Sequence, residues 1–349
     1  MRAYGVTYDT GFLSAGTTTH EPFDPDAVRR EMQIIRDELH CDAVRVTGGD
    51  PDRLETAAHH AARAGLEVWY SPFTNGLTQD ELMTFLVDSA ERAERLRREG
   101  ARVVFLTGSE ISLFTSGFLP GESLDERLGL MADPARLRAA LPELAARVNT
   151  FLTRAVALVR ERFGGSISYA SLPFEGVDWT PFDLIASDAG YRDATTAPIF
   201  RESLRAQLAQ GKPFAVTEFG CTTHRGAAAL GGRGDSIVEW DERGRPRLTA
   251  TVIRDEEEQA RYIRELLDIH DEEGTDTAFV NTFARRDLPT SSEPVRDLDT
   301  ASFGIVKILE HGRTGTAHPG LPWEPKAAFH ALAEYGRARR AETETRTLT

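Results

Sequence analysis

A (β/α)8 TIM barrel, an α/β fold built here as a single domain with a β-hairpin insertion after strand seven, is what this 349-residue sequence predicts. Three observations carry the prediction. Short apolar runs alternate with amphipathic stretches along the chain, and the strand candidates number eight. Each candidate is a continuous apolar run, as expected of strands buried on both faces of a parallel sheet. The rival open doubly wound sheet would place a Gly-rich phosphate turn after an early strand, and neither G-x-G-x-x-G nor a Walker pattern is present. A barrel with outer helices uses about 250 residues as one unit, so this length leaves room for elaborated loops.

The first strand is expected over 4–8, Tyr-Gly-Val-Thr-Tyr. Asp24-Pro25-Asp26 supplies cap chemistry for a helix over 27–39, with Val28, Met32, Ile35 and Leu39 on one face. A strand over 42–48, a helix over 51–64 and a strand over 66–70 repeat the unit. It continues with a helix over 79–99, a strand over 102–107, a long loop over 111–133, a helix from about 141 to 163 and a fifth strand over 166–170. A sixth strand over 182–188 follows a short link, then a helix over 197–210. The seventh strand is the run Phe214-Ala215-Val216, set off by Gly211 and Pro213 before it and Gly220 after it. Residues 237–240 and 247–252, joined by the polar turn 241–246, read as a β-hairpin. A helix over 256–270, an eighth strand over 277–283 and a helix over 325–337 complete the count. The expected organisation is one barrel over 1–340, with 222–255 as a lid-like insertion and 341–349 as a flexible tail.

A formal charge of −14 and a pI near 5.2 oppose a grip on phosphate backbones, which needs a basic face, so no nucleic-acid partner is expected. No window reaches membrane-spanning length and the first residues run straight into a strand, so the expectation is a cytoplasmic protein with no membrane partner. Cys41 and Cys221 are too few for a disulfide framework and read as small buried hydrophobes. The strand ends hold too few His for a metal site, and no cofactor is expected. His59 and His60 read as solvent-facing, His224 as loop surface, and Gly231-Gly232-Arg233-Gly234 as a flexible loop.

Barrel enzymes carry their chemistry at the C-terminal ends of the strands. Polar groups collect there: Asp9 after strand one, Arg45 on strand two, Ser109 and Glu110 after strand four, Asp188 and Tyr191 after strand six, Glu218 after strand seven and Asn281 on strand eight. Strands four and seven face each other across the mouth, and their two glutamates can converge to the ~5 Å separation of a retaining glycosidase pair. Such a pair divides acid and nucleophile roles when its environments push the pKa values apart. The bland alternatives are a structural ion pair for Glu218 with Arg45, and loop caps for Asp9 and Asp188.

Gly108-Ser109-Glu110, Thr217-Glu218-Phe219-Gly220 and Ala43-Val44-Arg45 resemble the motifs of the clan A glycoside hydrolases. Residues 257–262 are similar to the start of the clan's seventh outer helix, and 324–329 to its closing segment. The resemblance implies that Glu110 is the general acid/base with a raised pKa, and that Glu218 is the ionised nucleophile, held down by Arg45, with Tyr191 donating to it. The chain departs from the clan in two places. Ser109 stands where the clan has an Asn that contacts the sugar 2-hydroxyl, and Asn281-Thr282-Phe283 where it has a Trp flooring the sugar site. The hairpin and the loop over 111–133 are expected to roof the pocket, which suits a small glycoside or sugar-containing metabolite as substrate. Two alternatives stay open: a non-hydrolytic acid/base enzyme catalysing elimination, cyclisation or isomerisation on the same barrel, and a degenerate barrel serving as a binding protein. A homo-oligomer in contact through the hairpin also stays open.

Overall fold

The computed structural model describes residues 1–14, 17–240, 245–310 and 312–347. Eight parallel strands close into a barrel: β1 (Ala3–Asp9), β2 (Ala43–Gly48), β3 (Glu67–Pro72), β4 (Val103–Ser109), β5 (Ser166–Ser171), β6 (Ile185–Ser187), β7 (Phe214–Phe219) and β8 (Thr277–Val280). Each lies beside its neighbours in sequence, and β8 closes on β1 with Ala3 opposite Thr277. The outer helices are α1 (Pro25–Asp37), α2 (Pro51–Arg63), α3 (Gln79–Arg98), α4 (Pro134–Arg160), α5 (Phe200–Leu208), α6 (Glu256–Glu273) and α7 (Ala327–Thr347). Among the described residues no helix is long and apolar enough to cross a membrane.

Local chemistry sets the helix starts. Asp24, Asp50 and Asp133 each accept a backbone N–H of the first turn, with a proline leading the helix in all three cases. Thr78 and Glu81 form a reciprocal capping box at α3. Outward strand residues such as Val44, Val68 and Phe105 pack against the helices in the main core. Inside the barrel, Trp69 and Phe279 meet with ring centroids 5.1 Å apart, among the alanines Ala3, Ala43, Ala170, Ala186 and Ala215. The small side chains leave the volume the indole fills. Two residues further along their strands, the inward positions turn polar at Arg45, Ser71 and Thr217, all buried. That change from alanine and indole to polar groups marks the floor of the site.

Several expectations are corrected. The stretch 111–133 holds two short helices, Ile111–Phe114 and Leu124–Met131, the second opened by a Ser123/Glu126 capping box. Helix α4 starts at the Asp133-Pro134 cap, earlier than expected, and takes Pro142 into its interior. The Gly-rich run is no loose loop, because Gly231–Ile237 forms a 3-10 turn. Its glycines allow close packing: a Cβ at Gly232 would lie 3.1 Å from the Tyr191 ring, and one at Gly234 2.2 Å from Thr222 Oγ1. His224 is buried, its ring nitrogens 3.2 and 3.1 Å from the carbonyls of Arg225 and Gly234, and both His59 and His60 are half-buried. The hairpin pairs Val238–Trp240 with Pro246–Leu248, so its second strand is shorter than the expected 247–252 and takes Pro246 from the expected turn at 241–246, of which 241–244 lie outside the described residues. Leu248, Ile237, Val238 and Val252 pack against Leu288, Leu298 and Ala301 of the segment after β8. Helix α7 continues to Thr347, across most of the stretch expected to be a tail.

Candidate active site

Glu218 leaves β7 with its side chain 15% exposed and both carboxylate oxygens engaged. Oε1 accepts from Arg45 Nη1 at 2.8 Å. Oε2 accepts from the Tyr191 hydroxyl at 2.9 Å and from Asn281 Nδ2 at 3.2 Å, and Asn281 also donates to the Tyr191 oxygen at 2.7 Å. A Cβ at Gly220 would lie 2.7 Å from the Asn281 carbonyl, so glycine is what lets the ends of β7 and β8 come together here.

Arg45 is fully buried and organises the floor. Besides Glu218 it donates to Asp188 Oδ1 at 2.8 Å, the Thr217 carbonyl at 3.2 Å, Ser109 Oγ at 3.0 Å and Ser71 Oγ at 3.1 Å. Ser109 in turn donates to Asp188 Oδ2 through a short hydrogen bond. Ser109 and Asp188, expected to meet substrate, are 3% and 1% exposed and lie beneath the surface of the site as partners of Arg45. Asp9 is not part of this group. Its carboxylate accepts from Gly11 N at 2.8 Å and from the Thr19 hydroxyl, which holds its own loop, and it feels the charges of Arg285 and Asp287.

Glu110 sits at the exit of β4 with φ 46° and ψ 40°, the left-handed region that a side-chain-bearing residue enters only when its surroundings hold it there. Its N–H bonds to the Ala170 carbonyl at 2.9 Å, and its carbonyl accepts from Leu113 and Phe114. The next two N–H groups are also held, Ile111 by the Tyr169 hydroxyl at 2.9 Å and Ser112 by Glu175 Oε1 at 3.1 Å. Among the described residues the Glu110 carboxyl itself has no hydrogen-bond partner. Tyr169, Glu175 and Ser71 went unrecognised in the sequence: Glu175 lies in the short β5–β6 link with no pattern to single it out, and Ser71 is an ordinary strand serine.

Two carboxylates, Asp188 and Glu218, thus share one guanidinium, and Glu110 lies near enough to feel all three charges. Burial, reinforced by the charges of Asp188 and Glu218, holds the Glu110 pKa well above the usual carboxylate range. Glu218 was expected to be held down by Arg45. Burial and the adjacent Asp188 outweigh Arg45 and the Tyr191 hydrogen bond, and its pKa rises to about 7. The guanidinium is already paired with Asp188, so its charge is divided between two carboxylates. The Tyr191 hydroxyl, pushed up by burial and by Glu218, keeps its proton and remains a donor.

A closed (β/α)8 barrel with a carboxyl at the exits of both strand four and strand seven is the class that fold and geometry define. No family model matches the sequence, and no curated protein matches it significantly. Among solved structures, a GH113 β-1,4-mannanase superimposes with TM-score 0.62 at 16% identity, over 97% of this chain and 99% of that one. The GH113 β-mannanase of Alicyclobacillus acidocaldarius gives 0.56 at 18% identity, over 96% of each chain. The β-glucuronidase of Parabacteroides merdae gives 0.52 at 15% identity, over 96% of this chain and 36% of that one. In fold, this chain is similar to clan A glycoside hydrolases over nearly its full length.

Proposed function

We propose that this protein is a glycoside hydrolase-like enzyme that cleaves a small glycoside or sugar-containing metabolite by retaining double displacement. The observation that carries the reading is the contrast between the two carboxyls. Glu218 faces three donors, Arg45, Tyr191 and Asn281, which favour its ionised form, whereas Glu110 has no donor among the described residues and burial favours its protonated form. In the first step a Glu218 oxygen bonds to the anomeric carbon as the bond to the leaving oxygen breaks, and Glu110 passes its proton to that oxygen. In the second, Glu110 takes a proton from water, the water oxygen bonds to the anomeric carbon and Glu218 is released. Arg45, itself anchored by Asp188, holds Glu218 in place, and the 231–237 turn comes up to the mouth at Tyr191, whose ring a Cβ at Gly232 would meet at 3.1 Å. The likeness in fold to mannanases and a β-glucuronidase supports glycosidic chemistry. The two buried free cysteines fit a cytoplasmic setting.

One observation favours the second reading, acid/base chemistry without hydrolysis: Ser109 is tied to Arg45 and Asp188, so strand four offers no amide to a sugar 2-hydroxyl. A panel of aryl glycosides assayed with wild type, Glu110→Gln and Glu218→Gln separates the two. Loss of turnover in both variants, with a 2-fluoro glycoside labelling Glu218 in the wild type, is the expected result. Full turnover in either variant removes the double-displacement scheme.

A further inference from the structure

Three phenylalanines from three different loops meet at the catalytic end of the barrel. Phe12 follows the exit of β1, Phe73 is the first residue after β3, and Phe114 ends the short helix that Glu110 opens. Their ring centroids are 4.8 Å apart for Phe12 and Phe73, 5.4 Å for Phe12 and Phe114, and 5.0 Å for Phe73 and Phe114. All three rings are half-buried, and none belongs to the hydrophobic clusters that make up the core. The exposed Leu13 lies close by: a Cβ at Gly49 would stand 3.5 Å from its side chain and 3.3 Å from the Phe73 carbonyl.

The backbone beneath the rings is tied down. Phe12 and Thr19 exchange hydrogen bonds of 2.8 and 3.2 Å, Phe73 N donates to the Gly48 carbonyl at 2.9 Å, and Gly76 N donates to the Phe114 carbonyl at 2.8 Å. This is a preformed apolar wall of three rings in mutual contact. The other side of the mouth has the opposite character. Tyr191 and Asn281 flank Glu218 there, and Arg285, paired with Asp287 and near Asp235, follows β8.

We propose that the Phe12/Phe73/Phe114 wall is the leaving-group site, and that the substrate is a glycoside whose aglycone is an apolar aryl or alkyl group. The inference rests on the reading of Glu110 as the group that protonates the leaving oxygen. That role puts the leaving group beside Glu110, and the Phe114 N–H is bonded to the Glu110 carbonyl at 3.1 Å, one turn away. A sugar in the leaving position would stack its C–H face on one ring and leave its hydroxyls without partners on the other two, whereas an apolar aglycone would take all three rings out of water. The polar side of the mouth is left to the hydroxyl-bearing glycone.

The test compares glycosides of one sugar whose leaving alcohols have matched acidity, for example cyclohexyl against a hydroxylated alkyl chain. Wild type is expected to prefer the apolar leaving group at least tenfold in kcat/KM. Phe73→Ser is expected to bring that ratio near one, and Phe73→Leu, which keeps the wall apolar, to retain most of it. Hydrolysis with no apolar preference, or with a preference that survives Phe73→Ser in a folded protein, overturns the wall and leaves the glycosidase reading standing. Calorimetric titration with 2-naphthol covers the converse case, in which wild type hydrolyses no glycoside. Binding that Phe73→Ser weakens tenfold supports the wall alone, and no binding, or equal binding by both proteins, overturns it.

Discussion

Replacing Glu218 by Gln should remove the candidate nucleophile and yet stabilise the fold, by an amount that grows with pH. The folded carboxyl titrates at about 7 against an ordinary value of 4.5. Between those values the folded protein binds the proton more tightly than the unfolded chain, so wild-type stability falls as pH rises from 4.5 through 7. At about 1.4 kcal/mol per pH unit, the ionised carboxylate costs up to about 3 kcal/mol above pH 7. The side chain is 15% exposed, which leaves little discount for solvent screening. The replacement amide meets the donors Tyr191 and Asn281, an offset of about 1 kcal/mol that does not depend on pH. The variant should therefore be no more stable than wild type near pH 4.5 and gain about 2–3 kcal/mol relative to it by pH 8.5. Denaturant unfolding followed by circular dichroism at both pH values measures this difference. A stability difference that stays constant between the two, or shrinks as pH rises, would refute the account of Asp188 and Glu218 sharing one guanidinium.

The same balance predicts the rate profile. Activity should rise as pH passes about 7, when Glu218 loses its proton, and the raised Glu110 pKa should carry the alkaline limb to higher pH than an ordinary carboxyl would give; an optimum near pH 5 would contradict the Glu218 assignment. Tyr191→Phe removes a hydrogen bond that lowers the Glu218 pKa, so the acid limb of kcat/KM should move to higher pH while kcat falls about tenfold; a limb that does not move excludes tuning by Tyr191. Gly234→Ala drives a Cβ to 2.2 Å from Thr222 Oγ1, and a thermal melt should register a loss of about 1–3 kcal/mol, with reduced kcat because the same turn packs on Tyr191.

Much of the scaffold was legible because its signals are local. The runs at Val44, Val68, Phe105 and Phe214 mark strands without reference to any partner, and Asp24-Pro25 and Asp50-Pro51 carry their own caps. The strand exits placed Glu110, Glu218, Arg45, Tyr191 and Asn281 at one end of the barrel before any contact was known. What escaped was how those groups divide among themselves. Nothing near Ser109 or Asp188 in the chain marks them as buried partners of Arg45, and nothing near Glu175 says that it pins the turn after Glu110. The Gly-rich run looked like slack, since the Tyr191 ring and Thr222 that it packs against are met only in the fold.

By itself, then, the sequence determined a (β/α)8 chain with a carboxyl at the exits of its fourth and seventh strands, because strand runs, caps and exits are set by neighbours in the chain. The tertiary structure alone decided the protonation of those carboxyls. Arg45 reaches Asp188 and Glu218 across separations of 143 and 173 residues, and a buried positive charge already paired with Asp188 cannot hold Glu218 as low as it would hold Glu218 alone.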